Sequence, residues 1–224
     1  MKNRFLERIQ QTALGARLLS DRRFRTVLAA ALTMGWNLVY GLFNGVLGAL
    51  YRSAWFYAMG ACHLALGFMR LIAVGSAGRQ PEHRPGRGTW TALGVGMAAL
   101  AVIMSVIVEL TIADSVGKTY PTAVMIAIAA FTFFTVIRSV VLMIRAHRSR
   151  EGLTILLRNI SCASAVGSVL SLERSMLGTF GSSTDRFTYV TEGVSGLVGF
   201  LIVLALGVSM LLGSSRRRER QEHK

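Results

Sequence analysis

The sequence predicts an all-α fold, a six-helix transmembrane bundle with both termini on the cytoplasmic side. Three observations predict it. Six apolar runs reach the length a bilayer demands, charge is scarce within them, and the cations between them alternate in density. Of 224 residues, 52% are hydrophobic and only 16% charged, where an average soluble domain carries about 25% charged residues.

A hydrocarbon core about 30 Å thick takes about 20 residues of helix to cross. The qualifying runs lie at roughly 27–50, 54–75, 90–112, 121–144, 153–177 and 190–212. The first is too long for the apolar region of a cleaved signal peptide and has a long basic stretch before it, so it is expected to remain as a helix. This divides the chain into a basic N-terminal segment (1–25), a six-span domain (26–212) and a basic tail (213–224), the last expected to be disordered.

Orientation follows from the connections, because Lys and Arg accumulate on the cytoplasmic side. The N-terminal segment holds Lys2, Arg4, Arg8, Arg17, Arg22, Arg23 and Arg25. Arg79, Arg84 and Arg87 lie between the second and third runs, and Arg145, Arg148 and Arg150 between the fourth and fifth. Arg216, Arg217, Arg218, Arg220 and Lys224 follow the sixth. The opposite side has only Arg52, Lys118 and Arg186. Within residues 1–20, Phe5, Leu6, Ile9, Ala13 and Ala16 fall near helical spacing among arginines. The segment is either an interfacial helix on anionic lipid of the inner leaflet or a solvated basic tail.

The net charge of +14 would suggest nucleic acid in a soluble protein. Cations that fall almost wholly between apolar runs make topology the better account, and no nucleic-acid partner is expected. Cys62 and Cys162 sit inside apolar runs without metal-ligand spacing, so no metal and no cofactor are implied. Neither a HExxH, GxSxG nor Walker A pattern occurs, and the chain is not expected to be an enzyme.

Polar and small residues mark the faces that helices turn to one another in lipid. The first run carries Thr33, Asn37, Gly41, Asn44 and Gly48 on one face. The second carries Phe56, Gly60, His63, Gly67 and Arg70. A very short turn joins these runs, so Asn37 and His63 are expected at similar depth, facing the interior, each with a partner, since an unpaired amide or imidazole in hydrocarbon is costly. The fifth run has a serine stripe, Ser161, Ser164, Ser168, Ser171 and Ser175. These side chains either hold helices together or line a polar path. Asn37, Asn44, His63, Ser161, Ser164 and Ser168 are therefore the candidate intramembrane binding residues.

Arg70, Arg138 and Arg158 sit one to two turns from the cytoplasmic ends of their runs, with no acid at that level. They either snorkel to the headgroups or converge as an anion site, because guanidinium suits carboxylate and phosphate. Glu109, Glu173, Arg174 and Glu192 lie near the outer ends, as a salt-bridged cap or a cation-binding vestibule. Two sets of three spans of opposite parity would permit an inverted repeat, though no internal sequence similarity supports one.

The stretch NLVYGLFNGVLGALYRSAWFYAMGACHLALGFMRL (37–71), with NIS…LSLERSML (159–177), resembles uncharacterised six-span bacterial integral membrane proteins, a likeness that implies a bacterial cytoplasmic membrane and no activity. In size and span number the chain is also similar to the substrate-binding subunits of energy-coupling-factor transporters. That resemblance implies a small-residue face, here Gly41 and Gly45, for a membrane protein partner. The functional expectation is a small-solute transport or substrate-binding membrane component. The alternative is a non-transporting interaction or regulatory subunit whose polar faces serve packing alone.

Overall fold

The computed structural model describes residues 22–79, 85–111, 121–149, 152–180 and 185–222. Residues 1–20, with their two readings as interfacial helix or solvated tail, lie outside them. Among the described residues all regular structure is helical: α1 (Arg22–Tyr51), α2 (Ala54–Arg79), α3 (Arg87–Thr111), α4 (Thr122–Ser149), α5 (Gly152–Phe180) and α6 (Asp185–Glu222). Five of them, α2 to α6, are long and apolar enough to cross a membrane, and the chain is built as a multi-pass membrane bundle. Outward faces carry Leu42, Phe68, Val102, Phe133 and Leu197, all well exposed, and these faces suit acyl chains.

Local chemistry accounts for the helix ends. The α1–α2 turn is two residues long. Arg52 takes a left-handed conformation (φ 47°), and the Ser53 amide donates to the Gly48 carbonyl at 3.1 Å, satisfying one of the orphan carbonyls at the end of α1. The Pro121 carbonyl accepts from the Val124 and Met125 amides, and that of Gly86 from Thr89 and Trp90. Helix α6 extends through residues 213–222 of the tail. Nothing after Gly213 breaks a helix, and the Arg, Glu and Gln that follow are good helix formers, so α6 runs on to Glu222.

Sequential neighbours pair first, α1 with α2 and α4 with α5, while α3 packs along α6. Two of these seams depend on backbone contact. A Cβ added to Gly60 would lie 2.8 Å from the Gly41 carbonyl oxygen, and one at Gly207 would lie 3.0 Å from the Ala98 amide nitrogen. Gly41 is thus spent inside the bundle against α2. A Cβ built on Gly45, by contrast, would meet nothing within 4 Å.

Each helix of the first half lies antiparallel to its counterpart in the second. Thr33 and Tyr40 of α1 meet Arg138 and Phe131 of α4. Trp55 and Arg70 of α2 meet Arg174 and Ser161 of α5. Thr91 of α3 bonds Ser214 of α6, and Val108 lies against Gly196. Helices α4, α5 and α6 also begin at nearly constant offset from α1, α2 and α3. This is the arrangement two inverted three-helix units would make.

Candidate functional site

The serine stripe of α5 is the spine of the site. Its five hydroxyl-bearing residues are all buried, none more than 3% exposed, and at about 1.5 Å per residue they run roughly 20 Å along the bundle. Around them α1, α2 and α4 contribute Thr33, Asn37, Asn44, His63, Arg70, Thr132 and Thr135, likewise buried. Polar groups that hydrocarbon would penalise have been turned inward together.

Toward the end of the seam where α1 begins, Arg70 and Arg138 converge on one small void. Trp36, Phe134, Thr33, Asn37, Thr135, Ser161 and Ser164 complete its wall, and its room, about 10 Å³, is what one water molecule needs. The Nη2 of Arg70 donates to Ser161 Oγ at 2.8 Å. The Nη2 of Arg138 donates to the Ala29 carbonyl at 3.1 Å and to the Thr33 hydroxyl, which itself donates to the Ala29 carbonyl. Ser164 donates to Asn37 Oδ1 at 3.3 Å. Arg70 Nε, Asn37 Nδ2 and Thr135 Oγ1 are buried with no hydrogen-bond partner among the described residues.

Arg158 does not join them. Its Nε and Nη2 donate to Asn159 Oδ1 at 3.1 and 3.0 Å, and Asn159 Nδ2 reaches Ser209 of α6. The expected triad is therefore a pair. The reason is angular: on α5, position 158 is not on the stripe that holds 161, 164 and 168, so its side chain serves the α6 side.

Above the void an aromatic group closes the α1–α4 seam. The Tyr40 and Phe131 rings stack with centroids 3.4 Å apart, and Trp36 stacks on Phe131 at 5.6 Å. His63 stands edge-on to both Tyr40 and Phe131. His63 and Asn37 are both 1% exposed, and Asn37 faces Gly67, one turn from His63, so the expected common depth holds to within a turn. The expected partner does not hold for His63: both ring nitrogens lack one among the described residues, because its neighbours offer ring faces and apolar groups. His63 lines a small apolar cavity of about 20 Å³ with Met59, Leu66 and Met104, not the polar void.

Further out, Asn44 Nδ2 donates to the Tyr40 carbonyl at 2.8 Å. The Tyr40 hydroxyl faces Ser171 and Asn44 without reaching hydrogen-bond geometry with either. Ser168 and Ser175 bond back to carbonyls of their own helix, the usual retreat of a hydroxyl in a transmembrane helix.

Of the four charges at the opposite end of the bundle, two form a buried pair among the described residues. Arg174 Nη2 lies 3.7 Å from Glu192 Oε2, and its guanidinium covers the Trp55 ring at 4.4 Å. Glu109 is exposed. Glu173, half-buried, lines an open apolar groove between α5 and α6 with Val169, Val194 and Val198. These two carboxylates sit on other faces of their helices.

No family model, curated protein or solved structure matches the chain. Its chemistry has to be read from the seam itself. Trp36, Tyr40, Phe131, Thr132 and Thr135 were not singled out from sequence. Thr132, Thr135 and Ser139 do fall at spacings of three and four on α4, and that stripe was a readable signal of an inward face. The aromatic closure had no such signal, since aromatic residues are equally at home against lipid.

Proposed function

We propose that this chain is a six-span protein of the bacterial cytoplasmic membrane, with cytoplasmic termini, that binds or moves a small solute along the polar seam of α1, α2, α4 and α5. It is not an enzyme in this reading. The observation that carries the proposal is the void between Arg70 and Arg138. Packing alone is served as well or better by apolar side chains than by buried charge, so two guanidiniums facing one pocket call for a ligand. The antiparallel pairing of the two halves supports the same reading, because inverted units are a common basis for alternating access. The void is then an occluded site, and the Trp36–Tyr40–Phe131 stack is its closure on the outer side.

A second reading, an interaction or regulatory subunit, is favoured by one observation: the void has room for about one water molecule. Comparing metabolite uptake in cells with and without the gene separates the two. A solute whose accumulation depends on the gene, and is lost in Arg138→Gln, supports transport. Equal uptake of every solute leaves the interaction subunit. Topology has its own test, with Cys62 and Cys162 replaced by alanine. An impermeant maleimide should label Arg52→Cys in intact cells, but Lys2→Cys and Ser215→Cys only after lysis. Labelling of positions 2 and 52 from the same side would remove α1 from the spans.

A further inference from the structure

We infer that the seam binds a compact monovalent anion, of about the size of chloride, between the guanidiniums of Arg70 and Arg138. The inference rests on the solute-binding reading and names the class of ligand.

Charge is the first argument. Arg70 is 3% exposed and Arg138 half-buried, yet no carboxylate lines their void. The acids that α3, α5 and α6 carry within their apolar stretches, Glu109, Glu173 and Glu192, lie toward the outer ends. Two like charges held together away from bulk water repel each other and each has lost hydration. An anion between them relieves both costs at once.

Hydrogen-bonding capacity is the second. Several acceptors on the wall already take a proton: Ser161 Oγ from Arg70 Nη2, Asn37 Oδ1 from Ser164, and Thr33 Oγ1 from Arg138 Nη2. What remains without a partner is Arg70 Nε, Asn37 Nδ2 and the Thr135 hydroxyl. The first two can only donate, and the third can. A cation would meet hydroxyl and amide lone pairs only beside two like charges, whereas an anion meets three donors besides the two charges.

Size is the third. Room for one water-sized sphere suits a single-atom anion, fits a small planar one only if the wall gives, and excludes a nucleotide or a dicarboxylate.

The test uses the full-length protein in nanodiscs, at constant ionic strength so that general screening is held fixed. Sodium gluconate is exchanged for sodium chloride, nitrate or formate, with succinate and phosphate as larger, multivalent comparisons. Thermal unfolding and tryptophan fluorescence are both read, because Trp36 forms part of the wall. A ligand that binds the folded state raises its unfolding midpoint in a saturable way. The expected result is saturation with at least one compact anion, no response to gluconate, and an apparent Kd at least tenfold weaker in Arg138→Gln. Because an Arg70 variant could fail to fold, Asn37→Asp is the second probe. It supplies a carboxylate inside the pocket, and its unfolding should become independent of the added anion while the protein stays folded.

Coincident curves in gluconate and in all three compact anions would overturn the inference, as would an undiminished anion response in Asn37→Asp. A response confined to succinate or phosphate would overturn the size argument and the inference with it. The parent reading fails separately. Saturable anion binding without solute or anion flux in proteoliposomes sinks transport and keeps the anion site. Gene-dependent uptake of a neutral solute without anion binding does the reverse.

Discussion

Replacing Gly60 with alanine tests how closely α1 and α2 are joined. The new Cβ would stand 2.8 Å from the Gly41 carbonyl oxygen and 3.4 Å from the Gly45 amide nitrogen. Carbon and carbonyl oxygen ordinarily meet at about 3.3 Å or more, so the overlap is roughly half an ångström. The obstructing atoms are backbone, so no rotamer change relieves it. The two helices must separate, and Asn37, on the same face, moves with them. Overpacking of this kind costs about 1–3 kcal/mol. Alanine also gains up to about 1 kcal/mol of helix propensity over glycine, which would blur a comparison with wild type alone. Gly45→Ala removes that ambiguity, because nothing lies within 4 Å of a Cβ there and it takes the same propensity gain. The difference between the two variants isolates the packing cost, and Gly60→Ala should be the less stable by about 1–3 kcal/mol. Reversible unfolding with SDS in mixed micelles, followed by circular dichroism, measures it. Equal stability, or a more stable Gly60→Ala, would refute the backbone-contact account of the α1–α2 seam.

Gly207→Ala should show the same penalty at the α3–α6 seam, where the nearest atoms are again backbone, at 3.0 and 3.1 Å. The matched control there is Gly75→Ala, which meets open space. Arg174→Met should destabilise the fold by about 3 kcal/mol or more, because it leaves the Glu192 carboxylate buried without its cation. In the same unfolding assay, adding Glu192→Gln to it should recover part of the loss, and strictly additive effects would argue against the pair. Arg52→Gly should stabilise the α1–α2 turn by about 1 kcal/mol, since glycine adopts positive φ without the steric cost that a side chain incurs there. A loss of stability in that variant would mean the arginine side chain holds the turn.

Much of the site was legible from spacing alone. Hydroxyls at intervals of three and four on α5 had to share a face, and the amides of Asn37 and Asn44 had to avoid lipid, whatever the neighbouring helices were. The same reasoning put Arg70 and Arg138 near one depth, because rise per residue converts position along a span into height. It could not give azimuth between helices. Arg158 has the right height and the wrong side, Glu109 and Glu173 likewise, and His63 faces inward yet meets aromatic rings where a polar partner was expected.

Solvent chemistry explains where the division falls. Hydrocarbon acts on each residue singly, so length, apolarity and the placement of polar groups are written one position at a time, and the helical content, the hairpin of α1 and α2 and the inward serine face followed from the amino-acid order. Which inward groups meet depends on how six cylinders are rotated and tilted against one another. That is settled by contacts between segments far apart in the chain, such as Gly60 on Gly41, Gly207 on Ala98 and Tyr40 on Phe131. The pairing of two arginines around one void, and the exclusion of the third, are consequences of that packing, and only the tertiary structure decided them.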